Sequence, residues 1–421
     1  MKFLHYLFLF LASTSLLASE KKGQYRIDAP GITEQFFSEN IGPLDNFKLK
    51  PDKDGIITHQ NGGDAISWEV YVPDSYNPSK PIGILSYINA GNGGRIPGKW
   101  KELMGKHNLI WIGANQSGNY VGGDKKKPYY TYWRQILSIK GVALMKEAYN
   151  IDEDRIFISG FSGGGRVSSL LATWKPEIYK GAIYNCGCNR WYNTLDSKTV
   201  KNASKNYYVL LSGTKDFNKP GTESLYEYYK ENGFKNSKLM VIEGLGHGLP
   251  GTTDYDKAIQ FLDTPKKLRL EEALESAYSA ESNKQYEKAI QLFAKAAGYG
   301  SKEAKEKYEE YNEEIKSMYK TAEDAGAIRD FVLCLNTYDA IYKKYGMGIG
   351  KDAYDKSKSM KKDKQVVLEI KAMAYFLKIE KALKKGNKND KVKTALKKVI
   401  ETCPESFAAK RAKEELEKIS G

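Results

Sequence analysis

Few side chains in this sequence have the types and spacing that chemistry needs, and Ser162 is the first of them. It sits in Gly160-Phe161-Ser162-Gly163-Gly164, between an apolar run at residues 156–159 and a stretch of helical spacing. A serine held on a tight strand-to-helix turn between glycines is a nucleophile elbow, with its hydroxyl lifted clear of the sheet and the helix N-terminus open behind it. A serine hydroxyl attacks only when a base takes its proton, an acid holds the base, and donors meet the negative charge that develops on the substrate. The chain has four histidines. His5 belongs to the N-terminal apolar segment, His59 precedes the regular pattern, and His107 falls between a helix and the start of a strand, on the wrong edge of a sheet. His247, in Gly244-Leu245-Gly246-His247-Gly248, follows the last expected strand and is the predicted base.

Asp216 is the predicted acid because it follows an apolar strand in Ser212-Gly213-Thr214-Lys215-Asp216 and keeps the order serine, acid, histidine. Glu243 competes, but it belongs to the last strand itself, four residues before the histidine, and is expected to point into packing or solvent. Asp254 and Asp256 come after the histidine and break the order. For the oxyanion hole the turn supplies the N–H of Gly163, and the loop at residues 89–94, Asn-Ala-Gly-Asn-Gly-Gly, supplies a second. Gly91 is the first choice, with Ala90 and Asn92 left open. Asn89, Asn115 and Trp191, with Asn119 and Tyr192, fall on loops at the same edge and are candidate substrate contacts.

The elements that must carry these residues alternate along the chain. Ile66–Val72 reads as an alternating strand ended by Pro73, and Ile82–Ile88 as an apolar strand covered on both faces. Strands at 109–113, 156–159, 182–186, 207–212 and 239–242 follow, separated by helices near 100–106, 130–149, 223–232 and 255–263 and by the helix after the elbow. Such alternation implies right-handed crossovers and a largely parallel sheet with helices on both faces, whose ligand loops lie at the carboxyl ends of the strands. Residues 20–63 have no sustained period and are expected to form an irregular lead-in to a domain spanning 64–265. After Pro265 the composition turns to Ala, Lys, Glu and Tyr at helical spacing, so an all-helical domain is expected over 266–421. Small and aromatic residues at Ala277, Ala280, Tyr286, Ala289, Phe293 and Ala296 resemble one tetratricopeptide repeat, and hairpins are expected around 331–345 and 372–416.

The run Asp152-Glu153-Asp154-Arg155-Ile156-Phe157-Ile158-Ser159-Gly160-Phe161-Ser162-Gly163-Gly164-Gly165-Arg166, with residues 213–216 and Gly246-His247, resembles the exported esterase branch of the α/β-hydrolases. Polyhydroxybutyrate depolymerase-like and feruloyl esterase-like proteins belong to that branch. The resemblance covers about residues 66–264. It implies an α/β-hydrolase sheet and ester hydrolysis through an acyl-enzyme on Ser162, Asp216 and His247, without metal or organic cofactor. The chain departs from that pattern at Asn89-Ala90, where those enzymes usually have His-Gly.

Composition bounds the rest. A chain of 421 residues with 41% hydrophobic content is long enough for two cores. Residues 1–19, with Lys2, an apolar run and small residues at its end, have the layout of an export signal, which places the mature protein outside the cytoplasm, secreted or periplasmic, with no stable membrane insertion after removal. The apolar run is too short to span a bilayer comfortably. The net charge is +14. Eight lysines against Asp390 between residues 381 and 398 read as a solvated helix face, and without interleaved aromatics no nucleic-acid partner is expected. The four cysteines match neither a disulfide framework nor a zinc module. A bond between Cys334 and Cys403 stays open, and Cys186 and Cys188 read as small packed residues. The sequence therefore predicts a serine esterase acting on a small or polymeric ester, with a helical domain available to a protein partner. A peptidase or amidase on the same triad, and a hydrolase fold kept as a non-catalytic platform, are the alternatives.

Overall fold

A computed structural model describes residues 21–58 and 66–420. The predicted export signal, His5 and His59 lie outside the described residues. The chain divides into two compact units, one ending at Pro265 and one beginning at Lys266. Among the described residues no helix is long and apolar enough to cross a membrane.

Among the described residues of the first unit ten strands form: β1 Gly23–Ala29, β2 Ile32–Thr33, β3 Ile56–Ile57, β4 Ile66–Val72, β5 Ile82–Ile88, β6 Leu109–Ala114, β7 Ile151–Phe161, β8 Gly181–Asn185, β9 Tyr207–Gly213 and β10 Ser237–Ile242. Eight of them make one sheet in the order β1-β4-β6-β5-β7-β8-β9-β10. From β6 to β10 every pairing is parallel, while β4 runs antiparallel to both β1 and β6. Because successive side chains of a strand point to opposite faces, the strands feed two buried layers. Ile84, Ile110, Ile112, Ile156, Ile158 and Leu210 pack with residues of helices Thr131–Ala148, Gly163–Trp174 and Lys219–Glu231. Leu85, Tyr87, Trp111, Phe157, Val209 and Leu211 pack with those of helices Lys101–His107 and Thr252–Leu262. This is the α/β-hydrolase arrangement, a mostly parallel sheet with helices on both faces.

The expected lead-in is more regular than its sequence suggested. Tyr25 pairs with Val70 and Ile27 with Trp68, so β1 extends the main sheet, while β2 and β3 form a separate two-stranded ladder and Glu34–Asn40 is helical, capped by the Thr33 hydroxyl. An edge strand paired on one side needs no strong apolar period of its own, since its partner supplies the backbone bonds. The short helix Ser197–Ala203, started by the Asp196 carboxylate accepting from Thr199 N–H, was not expected either.

The strand order makes β5 the switch point of the sheet. Its neighbours are β6 on one side and β7 on the other, so the loops leaving β5 and β7 diverge around an open crevice. Those are the loops of residues 89–94 and of Ser162.

In the second unit the described helices are Thr264–Ser282, Tyr286–Gly298, Lys302–Ala327, Phe331–Met360, Lys364–Lys384, Asp390–Thr402 and Phe407–Ser420. Ala277, Ala280, Ala289, Phe293 and Ala296 are all buried, as close helix packing demands. The helix Phe331–Met360 breaks at Gly346, whose φ of 75° only glycine adopts freely. Cys334 and Cys403 are free and sit in different apolar clusters.

One ion pair ties the strand entering the elbow to the last helix of the first unit. Arg155 is buried, donates to both carboxylate oxygens of Asp263 at 2.7 and 2.8 Å, and also donates to the carbonyls of His107 and Asn108. Removing the carboxylate leaves a buried guanidinium without its counter-charge. Asp263→Ala should cost roughly 3 kcal/mol, read as a lower urea midpoint, whereas Asp28→Ala, at an exposed pair with Arg26, should cost less than about 1 kcal/mol.

Candidate active site

Ser162 links β7 directly to the helix Gly163–Trp174, with φ 54° and ψ −117°. A non-glycine residue at positive φ is strained by contact between its Cβ and the backbone, and it persists only where the surroundings fix it. Here the Ser162 N–H is held by the Asn185 carbonyl at 2.8 Å, and its own carbonyl accepts from Arg166 N–H at 3.1 Å. The turn is possible because the helix passes hard against the sheet. A Cβ on Gly164 would run into the Ile88 carbonyl oxygen, so only glycine fits. The serine sits at the N-cap position but caps nothing, leaving its hydroxyl free for other use.

That hydroxyl lies 2.9 Å from His247 Nε2, and His247 Nδ1 lies 2.8 Å from Asp216 Oδ1. The three predicted residues, up to 85 positions apart, thus form one continuous chain of hydrogen bonds. Each loop is fixed by the other. Lys215 N–H donates to the Leu245 carbonyl at 3.0 Å and Thr214 N–H to the Ile242 carbonyl at 2.9 Å, while Gly248 N–H closes a turn on Gly246. The Asp216 side chain is fully buried, and its Oδ1 also accepts from Asn218 N–H at 3.0 Å. Glu243, the competing acid, instead accepts from the Thr214 hydroxyl at 3.3 Å. Two aromatic rings lie against the imidazole, Phe161 at 5.1 Å and Phe217 at 4.2 Å between centroids, and Phe217 is 73% exposed.

The loop at 89–94 is held by its oxygens. Asn119 N–H donates to the Ala90 carbonyl at 2.7 Å, Gln116 N–H to that of Asn92 at 2.8 Å, and Trp111 Nε1 to that of Gly94 at 2.9 Å. Among the described residues the N–H groups of Ala90 and Gly91 have no acceptor, and Gly163, as first residue of its helix, has none within the helix. Free N–H groups at the carboxyl edge of the sheet are what an oxyanion needs.

The predicted substrate contacts have intramolecular partners of their own. Asn115 accepts from Gly94 N–H at 2.9 Å and donates to the Ser67 hydroxyl at 3.0 Å, so its amide braces the loop. Asn89 donates to the Gly93 carbonyl at 3.0 Å within the loop. The Trp191 ring lies against Tyr228, Tyr229 and Phe234, stacking on Phe234 at 5.1 Å, where the loop after β8 folds back over the apolar layer. Tyr192 similarly accepts from Gln135 Nε2 at 3.3 Å and meets the edge of Trp174.

Sequence reasoning missed Arg134 and underread Cys186. Arg134 is buried on the helix Thr131–Ala148, and burial pulls its guanidinium down to about 10. A charge flanked by Trp133, Ile136 and Leu137 in a segment buried nearly all round was the available signal. Cys186 has φ 52° and lies with Asp216 and His247 in a group whose ligand atoms are all within 4.8 Å. Such a group could in principle hold a cation, but Nδ1 of His247 is already bonded to Asp216, and the thiol is 3.3 Å from the Gly248 carbonyl. The arrangement is a hydrogen-bonded cluster and not an open cage of ligands. Burial, and then the neighbouring Asp216 carboxylate, push the Cys186 thiol up to about 12.

The sequence of residues 138–260 matches the model of the prolyl oligopeptidase family, less than a third of the chain. No curated protein matches. Among solved structures the chain is similar to a dipeptidyl aminopeptidase IV from Bacteroides ovatus, with 14% identity over 48% of this chain and 34% of that one, at a TM-score of 0.37. It therefore spans about a third of that protein's length. It is also similar to a ferulic acid esterase, with 11% identity over 57% of this chain and 98% of that one at a TM-score of 0.40. A third likeness is to S-formylglutathione hydrolase from Staphylococcus aureus, with 12% identity over 56% of this chain and 96% of that one at a TM-score of 0.36.

Burial, the chief cause at Cys186, also pushes the Cys188 thiol up to about 12, so both stay protonated at pH 8, where the reactive thiolate is scarce. Iodoacetamide at pH 8 should leave both unmodified in the folded protein and alkylate both in urea, as read by peptide mass spectrometry.

Proposed function

We propose that the protein is a serine hydrolase that cleaves carboxylic esters through an acyl-enzyme. The observation that carries this reading is the unbroken chain Ser162 Oγ, His247 Nε2, His247 Nδ1, Asp216 Oδ1, with bonds of 2.9 and 2.8 Å. In the proposed reaction Ser162 Oγ attacks the ester carbonyl carbon as its proton passes to His247 Nε2. Asp216 holds Nδ1–H and stabilises the imidazolium, without itself taking the proton. The carbonyl oxygen becomes an oxyanion facing the free N–H groups of Gly163 and Gly91. Collapse of this intermediate breaks the bond to the alkoxy oxygen, which leaves as alcohol with the proton from His247. Water then repeats the sequence: it gives a proton to His247, attacks the acyl carbon, and releases the carboxylic acid and Ser162.

Two further readings belong with this one. The layout of residues 1–19 supports export, and the hairpins of the second unit, with their buried alanines, support a tetratricopeptide-like surface for a protein partner. A second reading of the reaction, amide hydrolysis, is favoured by the match of residues 138–260 to the prolyl oligopeptidase family. The same triad serves both, and the leaving group separates them.

Short-chain p-nitrophenyl esters should be hydrolysed and peptidyl p-nitroanilides left intact, while the reverse preference would establish the peptidase. A fluorophosphonate probe should label Ser162, and Ser162→Ala should lose the label and at least about 10⁴-fold in kcat with an unchanged melting curve. A folded protein that takes no label and turns over no ester is not a serine hydrolase.

A further inference from the structure

The oxyanion site holds one more polar group than the backbone supplies. The Asn119 amide rests directly on Gly163: a Cβ on Gly163 would lie 1.9 Å from Asn119 Oδ1, the nearest atom of the amide, 2.6 Å from Cγ and 2.8 Å from Nδ2. Gly163 is thus glycine partly because this amide occupies the space of its side chain. The amide therefore lies beside the Gly163 N–H, at the mouth of the helix that starts after Ser162.

Arg134 decides which way that amide faces. Its Nη1 is 3.2 Å from Asn119 Oδ1, its Nε 2.8 Å from the Ser117 carbonyl and its Nη2 2.9 Å from the Asn89 carbonyl. A guanidinium only donates, so the Asn119 atom facing it must be the oxygen, and the NH₂ group is left for another acceptor. Among the described residues Nδ2 of Asn119 has no acceptor, and it is not among the side-chain atoms buried without one. Arg134 has no acidic partner among the described residues, and all three of its bonds go to neutral oxygens on the two loops that flank the serine. A buried cation spent in this way raises the polarity of the amide it binds and fixes the spacing of both loops.

Resting on the hydrolase reading above, we infer that Asn119 Nδ2 is a side-chain donor to the oxyanion, beside the N–H groups of Gly163 and the 89–94 loop, and that Arg134 is the positioning residue that orients it.

The test replaces the donor without disturbing the fold. Asn119→Asp keeps the shape, gains a charge partner for Arg134, and removes the NH₂ from the oxyanion. It should fold with a melting temperature equal to or above that of the parent, and lose roughly 10²–10³-fold in kcat on p-nitrophenyl acetate with KM within about threefold, as loss of an oxyanion donor does. Asn119→Ala should show a similar kcat loss, and both variants should bind a trifluoromethyl ketone analogue of the tetrahedral intermediate correspondingly less tightly. A merely structural asparagine would leave kcat of the folded Asp variant within about threefold, which would overturn the inference and leave the acyl-enzyme standing. Loss of the melting transition in both variants would make Asn119 a folding residue and also overturn it. If the parent itself neither labels at Ser162 nor turns over the ester, the hydrolase reading falls first and takes this inference with it.

Discussion

The crossing of β5, β7 and the helix Gly163–Trp174 at Ser162 is the contact on which the rest of the site depends. The helix backbone at Gly164 lies against the Ile88 carbonyl with no room for a side chain, and Ser162 takes up the resulting strain at φ 54°. Backbone bonds to the Asn185 carbonyl and from Arg166 N–H hold the residue there. The close approach also brings the end of β5 beside the serine, so the loop of residues 89–94 begins against the first turn of that helix. Strain at one residue is sustained by the packed layers on both faces of the sheet, which cannot relax without opening the core.

From that crossing the site is assembled by loops that have little freedom of their own. The loops after β9 and β10 are stitched to each other by backbone bonds before either side chain is considered. The 89–94 loop is held through its carbonyls by residues 115–119, by Trp111 and by Arg134, and through Gly94 N–H by Asn115, while among the described residues Ala90 and Gly91 N–H have no acceptor. Preorganisation of this kind matters because donors that are already oriented need not reorganise when charge appears. The exposed Phe217 beside His247 gives the site an apolar rim on the acid-loop side.

Buried charge is handled in two ways within the same unit. Arg155 is neutralised by Asp263 and serves to join β7 to the final helix. Arg134, equally buried, is satisfied only by neutral oxygens, and desolvation lowers its proton affinity accordingly. The first is an anchor. The second binds the loops of residues 89–94 and 115–119 through their oxygens.

The sequence by itself determined the alternation of strands and helices, the change of regime after Pro265, and the three residues that meet in the hydrogen-bonded chain. Each rests on local information: apolar periodicity for the elements, and glycine-flanked positions at strand ends for Ser162, Asp216 and His247. It did not reveal β1, because an edge strand borrows its order from β4, nor the fate of Trp191, whose ring is claimed by Tyr228, Tyr229 and Phe234 from elements far along the chain. Asn115 and Asn119 were visible only as polar loop residues. Tertiary structure alone decided that one braces Gly94 and the other rests on Gly163 with its oxygen turned to Arg134, since hydrogen-bond partners 15 to 48 positions away are set by how the layers pack and not by any local pattern.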